Sequence, residues 1–406
     1  MMSHANGLPD EWRLTTLERV TDQRAPIRYG VVQIGPDTLG GVPIVPIKFI
    51  NRIASASLHR AAHQIEKKYA GSRIQSGDVL ISVKGTIGNV GVVPNGFSGN
   101  IAREIARVRP NENIDRGYLA FQLQGPSTQR RIKTFTVGST RLEFSIAALR
   151  AFQIPLPPLS EQKKIAEILS TWDMAIETSE KLVANAEAQK RALMQQLLTG
   201  RRRLKGFGSG EWVRVQVGSL LKEVRRPVDW SDEDLYSLLS LRRRSGGLFL
   251  RERLHGREIL TKGMKTTKAG DFLISKMQVV HGAMAMTPAR YDGMHISNSY
   301  ISLITRNKGE LEMRFFDWLS RMPFMYRLAY LSSYGVHIEK MTFNLDWFLQ
   351  EKIGVPTTAA EQSKIADILD AAQFEVDTLS AARAKLLDEK SALMQQLLTG
   401  KRRVKL

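Results

Sequence analysis

Where this chain turns, basic side chains recur beside small polar ones, and that pairing suits hydrogen bonds to phosphate oxygens and base edges. In the amino-terminal half the candidates are Lys84, Thr86, Arg103, Arg107 and the run Ser139-Thr140-Arg141. In the carboxyl-terminal half they are Arg242-Arg243-Arg244, Lys276, Ser297 and Asn298. No comparable set for making or breaking covalent bonds is present. There is no P-loop and no Asn-Pro-Pro-aromatic tetrapeptide of the kind that holds a flipped adenine. His59 and His63 stand four apart, but no Glu follows His59, so the zinc-hydrolase pattern is missing. Gly85, Gly88 and Gly91 recur three apart, which is not the dinucleotide spacing; they read as a hairpin turn whose backbone N–H groups could approach a phosphate. The chain is expected to catalyse nothing, to hold no metal and to carry no cofactor of its own.

Charge points the same way. Lys and Arg number 59 against 40 acids in 406 residues, a formal +19, which favours a polyanionic partner through counterion release. Cysteine is absent, which excludes disulfides and cysteine-based zinc sites and suits a reducing compartment. No apolar run of about 18 residues could span a bilayer, and the start lacks a signal-peptide core, so a soluble, cytoplasmic chain without a membrane partner is expected.

The elements that must position these residues are written twice. Residues 161–200 and 361–400 align without a gap at an offset of 200, and nineteen of the forty positions are identical, including the closing ALMQQLLTG. Each copy is followed by a basic cluster, Arg201-Arg202-Arg203-Leu204-Lys205 and Lys401-Arg402-Arg403-Val404-Lys405. Fainter echoes pair Glu11-Trp12 with Glu211-Trp212, residues 76–82 with 269–275, and residues 101–108 with 296–303. A period this long means one duplicated module, not a solenoid.

Both copies are rich in helix formers and show apolar residues three and four apart. The first stripe runs Ile165, Ile168, Trp172, Ile176, Leu182, Ala186, Leu193, Leu197, and the second Ile365, Ile368, Ala372, Val376, Leu379, Leu386, Leu393, Leu397. Ser160 is expected to cap the first helix, and Gly200 and Gly400 to end the two in the left-handed conformation, with the basic clusters complementing the helix dipole. Forty residues make a rod of about 60 Å, and two such stripes predict an antiparallel coiled coil about a pseudo-twofold axis.

The expected fold class is α+β: two mixed, strand-rich domains separated by two long helices. The divisions are residues 1–155 and 204–355 for the variable domains, with spacer helices at 156–203 and 356–406. Strands are expected at 41–50, 78–83 and 101–108, and at 236–241, 271–277 and 296–304. Short helices are expected at 58–69 and 118–124, and near 315–319.

In its layout the chain resembles the specificity subunits of type I restriction enzymes, the HsdS family. The similarity lies in Pro155-Leu156-Pro157-Pro158-Leu159-Ser160-Glu161-Gln162 leading into a helix that ends Leu197-Leu198-Thr199-Gly200, and in Ser76-Gly77-Asp78-Val79-Leu80-Ile81-Ser82 with its glycine turn. It covers the whole chain in order, except that the second helix follows Val355-Pro356-Thr357-Thr358, without the fuller proline run. The resemblance implies that each variable domain reads one half of a bipartite target in double-stranded DNA. It also implies two methyltransferase subunits bound along the helices and two motor-nuclease subunits in the restriction form. S-adenosylmethionine, ATP and Mg would belong to those partners. A fused methyltransferase–nuclease of another restriction class would use a similar subunit, whereas a coiled-coil scaffold would share the helices without reading bases.

Overall fold

The computed structural model describes residues 8–134, 143–207 and 211–405. It divides into two compact units, residues 1–181 with 381–406 and residues 182–380.

In the first unit the apolar run Val79–Ser82 is buried along its whole length because both faces of its sheet are covered, Val79 and Ile81 packing into one core cluster and Leu80 into another. Its sheet runs Arg28–Tyr29, Ile105–Val108, Val79–Ser82, Val90–Val92, all antiparallel. A second sheet runs Arg60–Ala61, Val42–Val45, Ser98–Ile101, Ile74–Gln75, with one parallel pairing between Val42–Val45 and Ser98–Ile101. Residues 101–108 are therefore not one strand: the chain leaves one sheet at Ile101 and enters the other at Ile105.

The second unit repeats this plan. Phe272–Ser275, also wholly buried, lies between Tyr300–Thr305 and Met284–Met286, with Leu221–Val224 at the edge. The companion sheet runs Leu248–His255, Leu235–Leu241, His295–Ser297, Met264–Thr266. Residues 296–304 split in the same way, around Asn298 and Ser299. The short helices fall at Arg116–Gln124 and Met313–Ser320 as the pattern suggests, but residues 58–69 give only His63–Glu66, continued as a 3-10 turn over Lys67–Ser72.

Two 39-residue helices, Leu159–Leu197 and Ala359–Leu397, complete the fold. In each unit the start of one lies beside the end of the other, so they pair antiparallel. Ile165, Leu169, Met394, Leu397 and Leu398 enter the core of the first unit, and Leu197, Leu198, Ile365, Ala366 and Leu369 that of the second. Lys390 donates to Asp173 and Arg383 to Glu180 in the first unit, and Lys190 to Gln373 in the second. The seam follows most of the expected stripe, but Leu182 is 48% exposed. Steps of three and four from buried Ile176 lead to Ser179, Val183 and Ala186 instead, which is the face the helix turns inward. Ser160 is no cap either: the helix already starts at Leu159.

The helix starts are held by buried side chains. Gln162 accepts from the Asp115 N–H and donates to the Asn113 and Pro157 carbonyls; Gln362 accepts from the Glu312 N–H and donates to those of Glu310 and Pro356. Arg403 donates to buried Glu161 at 2.8 Å, and Arg203 grips buried Glu361 through two bonds of 2.9 and 2.8 Å. The basic clusters thus lock the end of one helix onto the start of the other. Gly200 and Gly400 do take positive φ, 69° and 73°.

Candidate nucleic-acid interface

Each unit builds a rigid turn at the end of its buried central strand and lays a cationic loop near it. In the first unit the turn joins Val79–Ser82 to Val90–Val92. The Ser82 hydroxyl donates to the Thr86 carbonyl at 2.5 Å and accepts from the Asn89 N–H, while Gln129 holds the Gly88 carbonyl. Gly85 and Gly88 sit at φ 71° and 90°, which only glycine adopts without strain. The Gly88 N–H is spent on the Ser82 carbonyl, so it is not free for a phosphate.

Against this turn lie residues 46–52. The Ile50 carbonyl comes so close to Gly91 that a Cβ there would stand 1.8 Å from it, which is why a glycine occupies the strand. The result is an open concavity of about 840 Å³ lined by Lys48, Asn51, Arg52, Gly85, Thr86 and Asn89, without a single acid. Lys48 and Arg52 both pack on the Phe49 ring, at 4.8 and 5.3 Å, and neither has an ion pair among the described residues. Two unneutralised cations with two amides form a surface able to grip phosphates and probe base edges.

The corresponding loop of the second unit follows Leu235–Leu241 and is Arg242-Arg243-Arg244. The Arg244 N–H donates to the His281 carbonyl and the Ser245 N–H to that of Gly282, which seats the loop on the turn after Phe272–Ser275. The three guanidiniums diverge. Arg242 lies 4.2 Å over Phe249 and lines a cavity of about 340 Å³ with Arg290, Arg314 and Arg321. Arg314 and Arg321 are tied to Asp370 and Asp317. Arg243 bonds Glu339 at 2.7 Å, and Arg244 is exposed with φ 56°.

The other candidates divide. Arg107 is only 2% exposed and donates to the Arg73 and Pro26 carbonyls, and burial pulls its pKa below the usual arginine value. It is a sheet-stitching residue and cannot reach a duplex. Lys84 pairs with Glu143 at 3.2 Å and lies over Tyr29, whose phenol burial and the Glu143 hydrogen bond push up to about 12. Arg103 is exposed and pairs with neighbouring Glu104. The Lys276 N–H donates to the Ser299 carbonyl, which brings Lys276 beside Ser297 and exposed Asn298. Ser139, Thr140 and Arg141 lie outside the described residues. The rings of His59 and His63 are each within hydrogen-bond distance of a backbone carbonyl, of Gly35 and Gly40. Among the described residues no group of three or more His, Asp or Glu could hold a metal, and no helix is long and apolar enough to cross a membrane.

Sequence inspection missed Lys48, Asn51 and Arg52, because apolar Ile47, Phe49 and Ile50 interrupt them and disguise the loop as a strand. The usable signal was Pro46, which ends the extended run before them.

Comparison with known proteins agrees with this architecture. Residues 38–188 match the type I restriction modification DNA specificity domain. The type I restriction enzyme EcoBI specificity subunit of Escherichia coli is 27% identical over 208 residues, 50% of this chain and 44% of that protein, so the chain spans about half the length of this relative. The type I restriction-modification S subunit of M. genitalium superposes with a TM-score of 0.59 at 14% identity, covering 98% of each chain. The HsdS subunit of Thermoanaerobacter tengcongensis does so at 0.50 and 19%, over 99% of this chain and 100% of that one, and at such identities the likeness speaks for the fold. Residues 38–188 thus match a type I restriction modification DNA specificity domain, and over almost its whole length the chain shares the fold of solved type I S subunits.

Proposed function

We propose that the chain directs a type I complex to a bipartite, interrupted target in double-stranded DNA, each unit reading one half. The observation that carries this is one scaffold built twice with unlike cationic loops, Lys48-Asn51-Arg52 in one unit and Arg242-Arg243-Arg244 in the other. A shared scaffold with different loops is what reading two different half-sites in one pose requires. The domain divisions at residues 155, 203 and 355 serve this role: variable domains read, and the helices set the gap and dock two methyltransferase subunits. Two motor-nuclease subunits join in the restriction form, in the cytoplasm. Adenine methylation from S-adenosylmethionine and ATP- and Mg-dependent cleavage take place on those partners. Lys84, Thr86, Arg103, Lys276, Ser297 and Asn298 stay as contact candidates, and buried Arg107 does not.

The test is a binding selection from random duplexes with the full chain and its methyltransferase partner. An interrupted, two-part motif is expected; a single continuous motif, or none, refutes the reading. Adding one heptad to both helices, about 10 Å, should widen the gap by roughly three base pairs.

A further inference from the structure

The second unit carries a small hairpin with an unusual tip. Ser333–Tyr334 pairs with Thr342–Phe343, and the loop between them exposes Val336 by 96% and Ile338 by 50%, with Tyr334 at 54% beside them. Gly335 takes φ 144°, and a Cβ on it would stand only 3.0 Å from the Met341 Cα, so the hairpin is narrow beneath its exposed apolar tip. The base is fixed to the reading loops: the Phe343 N–H donates to the Lys276 carbonyl, and Glu339 pairs with Arg243. The hairpin and the two turns it leans on, residues 242–247 and 276–282, carry Arg242, Arg243, Arg244, Lys276 and Lys340 but a single acid, Glu339, which is paired with Arg243.

A convex apolar tip inside a cationic collar has the inverse pattern of a nucleic-acid duplex, where anionic phosphates flank an apolar stack of bases. We propose that Val336 and Ile338 form a wedge that enters a base step of the half-site read by the second unit and partly unstacks it. The proposal rests on the DNA-reading function above. The wedge adds sequence preference without a base-edge hydrogen bond, since pyrimidine–purine steps open most easily.

The test uses the full chain with the duplex it enriches from a random library, carrying 2-aminopurine at each adenine or guanine position in turn. One or two adjacent positions in a single half-site should brighten on binding. The V336S/I338S double variant should lose that signal and bind about tenfold more weakly, as expected when a buried aliphatic contact is removed. Val336→Leu should keep both. A bound duplex that brightens nowhere, or a double variant that keeps the signal, overturns the wedge while leaving sequence reading intact. A double variant that binds DNA normally but no longer retains its methyltransferase partner shows the tip to be a protein contact and also overturns it. Failure of the wild-type chain to enrich any sequence defeats the reading itself.

Discussion

The two units agree where they are buried and differ where they meet solvent. Asp78 and Asp271 occupy the same turn: each is almost wholly buried, and each accepts a backbone N–H three residues back, from Gln75 and Lys268. The partner arginine comes from different strands, Arg109 after Ile105–Val108 in one unit and Arg226 after Leu221–Val224 in the other. Trp12 and Trp212 both cover the glycine that ends a long helix, Gly400 and Gly200. Yet Trp12 donates to Glu161 at 2.9 Å, whereas the buried Trp212 N–H finds no partner among the described residues. The lesson is that duplication preserved the positions needed for folding and let the bonding details drift, while the exposed loops diverged outright.

Breaking the shared part should cost most. Asp78→Ala or Asp271→Ala leaves an arginine and a turn N–H without their anion, and each should lower stability by about 3–5 kcal/mol, measured by chemical denaturation. Nearly equal losses in the two units are expected, and a loss in one alone would show that the turns are not equivalent. On the helices, Ile176→Ala should cost about 2–3 kcal/mol, because Ile176 is 7% exposed. Next come the loops that differ. Arg52→Ala should weaken specific binding by about 1–2 kcal/mol and relax one half-site only, while Arg243→Ala relaxes the other. Equal losses on every sequence would make either residue a phosphate anchor. Leu182→Ala should change stability by less than about 0.5 kcal/mol, because its side chain faces water.

The long-range plan was legible in the sequence because it rests on repetition and period. The 200-residue offset, the helical stripes and the terminal glycines each have one physical reading. The sites were less legible. Arg107 looks like an exposed base in IARV, but its strand is covered on both faces, and its charge is absorbed by backbone carbonyls far away in sequence. Leu248–His255 escaped notice because Arg251, Glu252 and Arg253 interrupt its apolar alternation. Leu182 entered the seam on composition, although it stands six residues after Ile176, a spacing that leaves the helical face. Only for Arg107 is the deciding partner distant in the chain; the other two depend on local pattern.

The central claim is that two independent reading surfaces share one helical frame. Replacing residues 46–52 with the matching loop of a type I S subunit of the same fold, then mapping methylated sites in cells that also express the methyltransferase partner, tests it most directly. The account predicts that one half of the motif changes while the other half and the gap between them stay as they were. A motif altered in both halves, or in its gap, would contradict it.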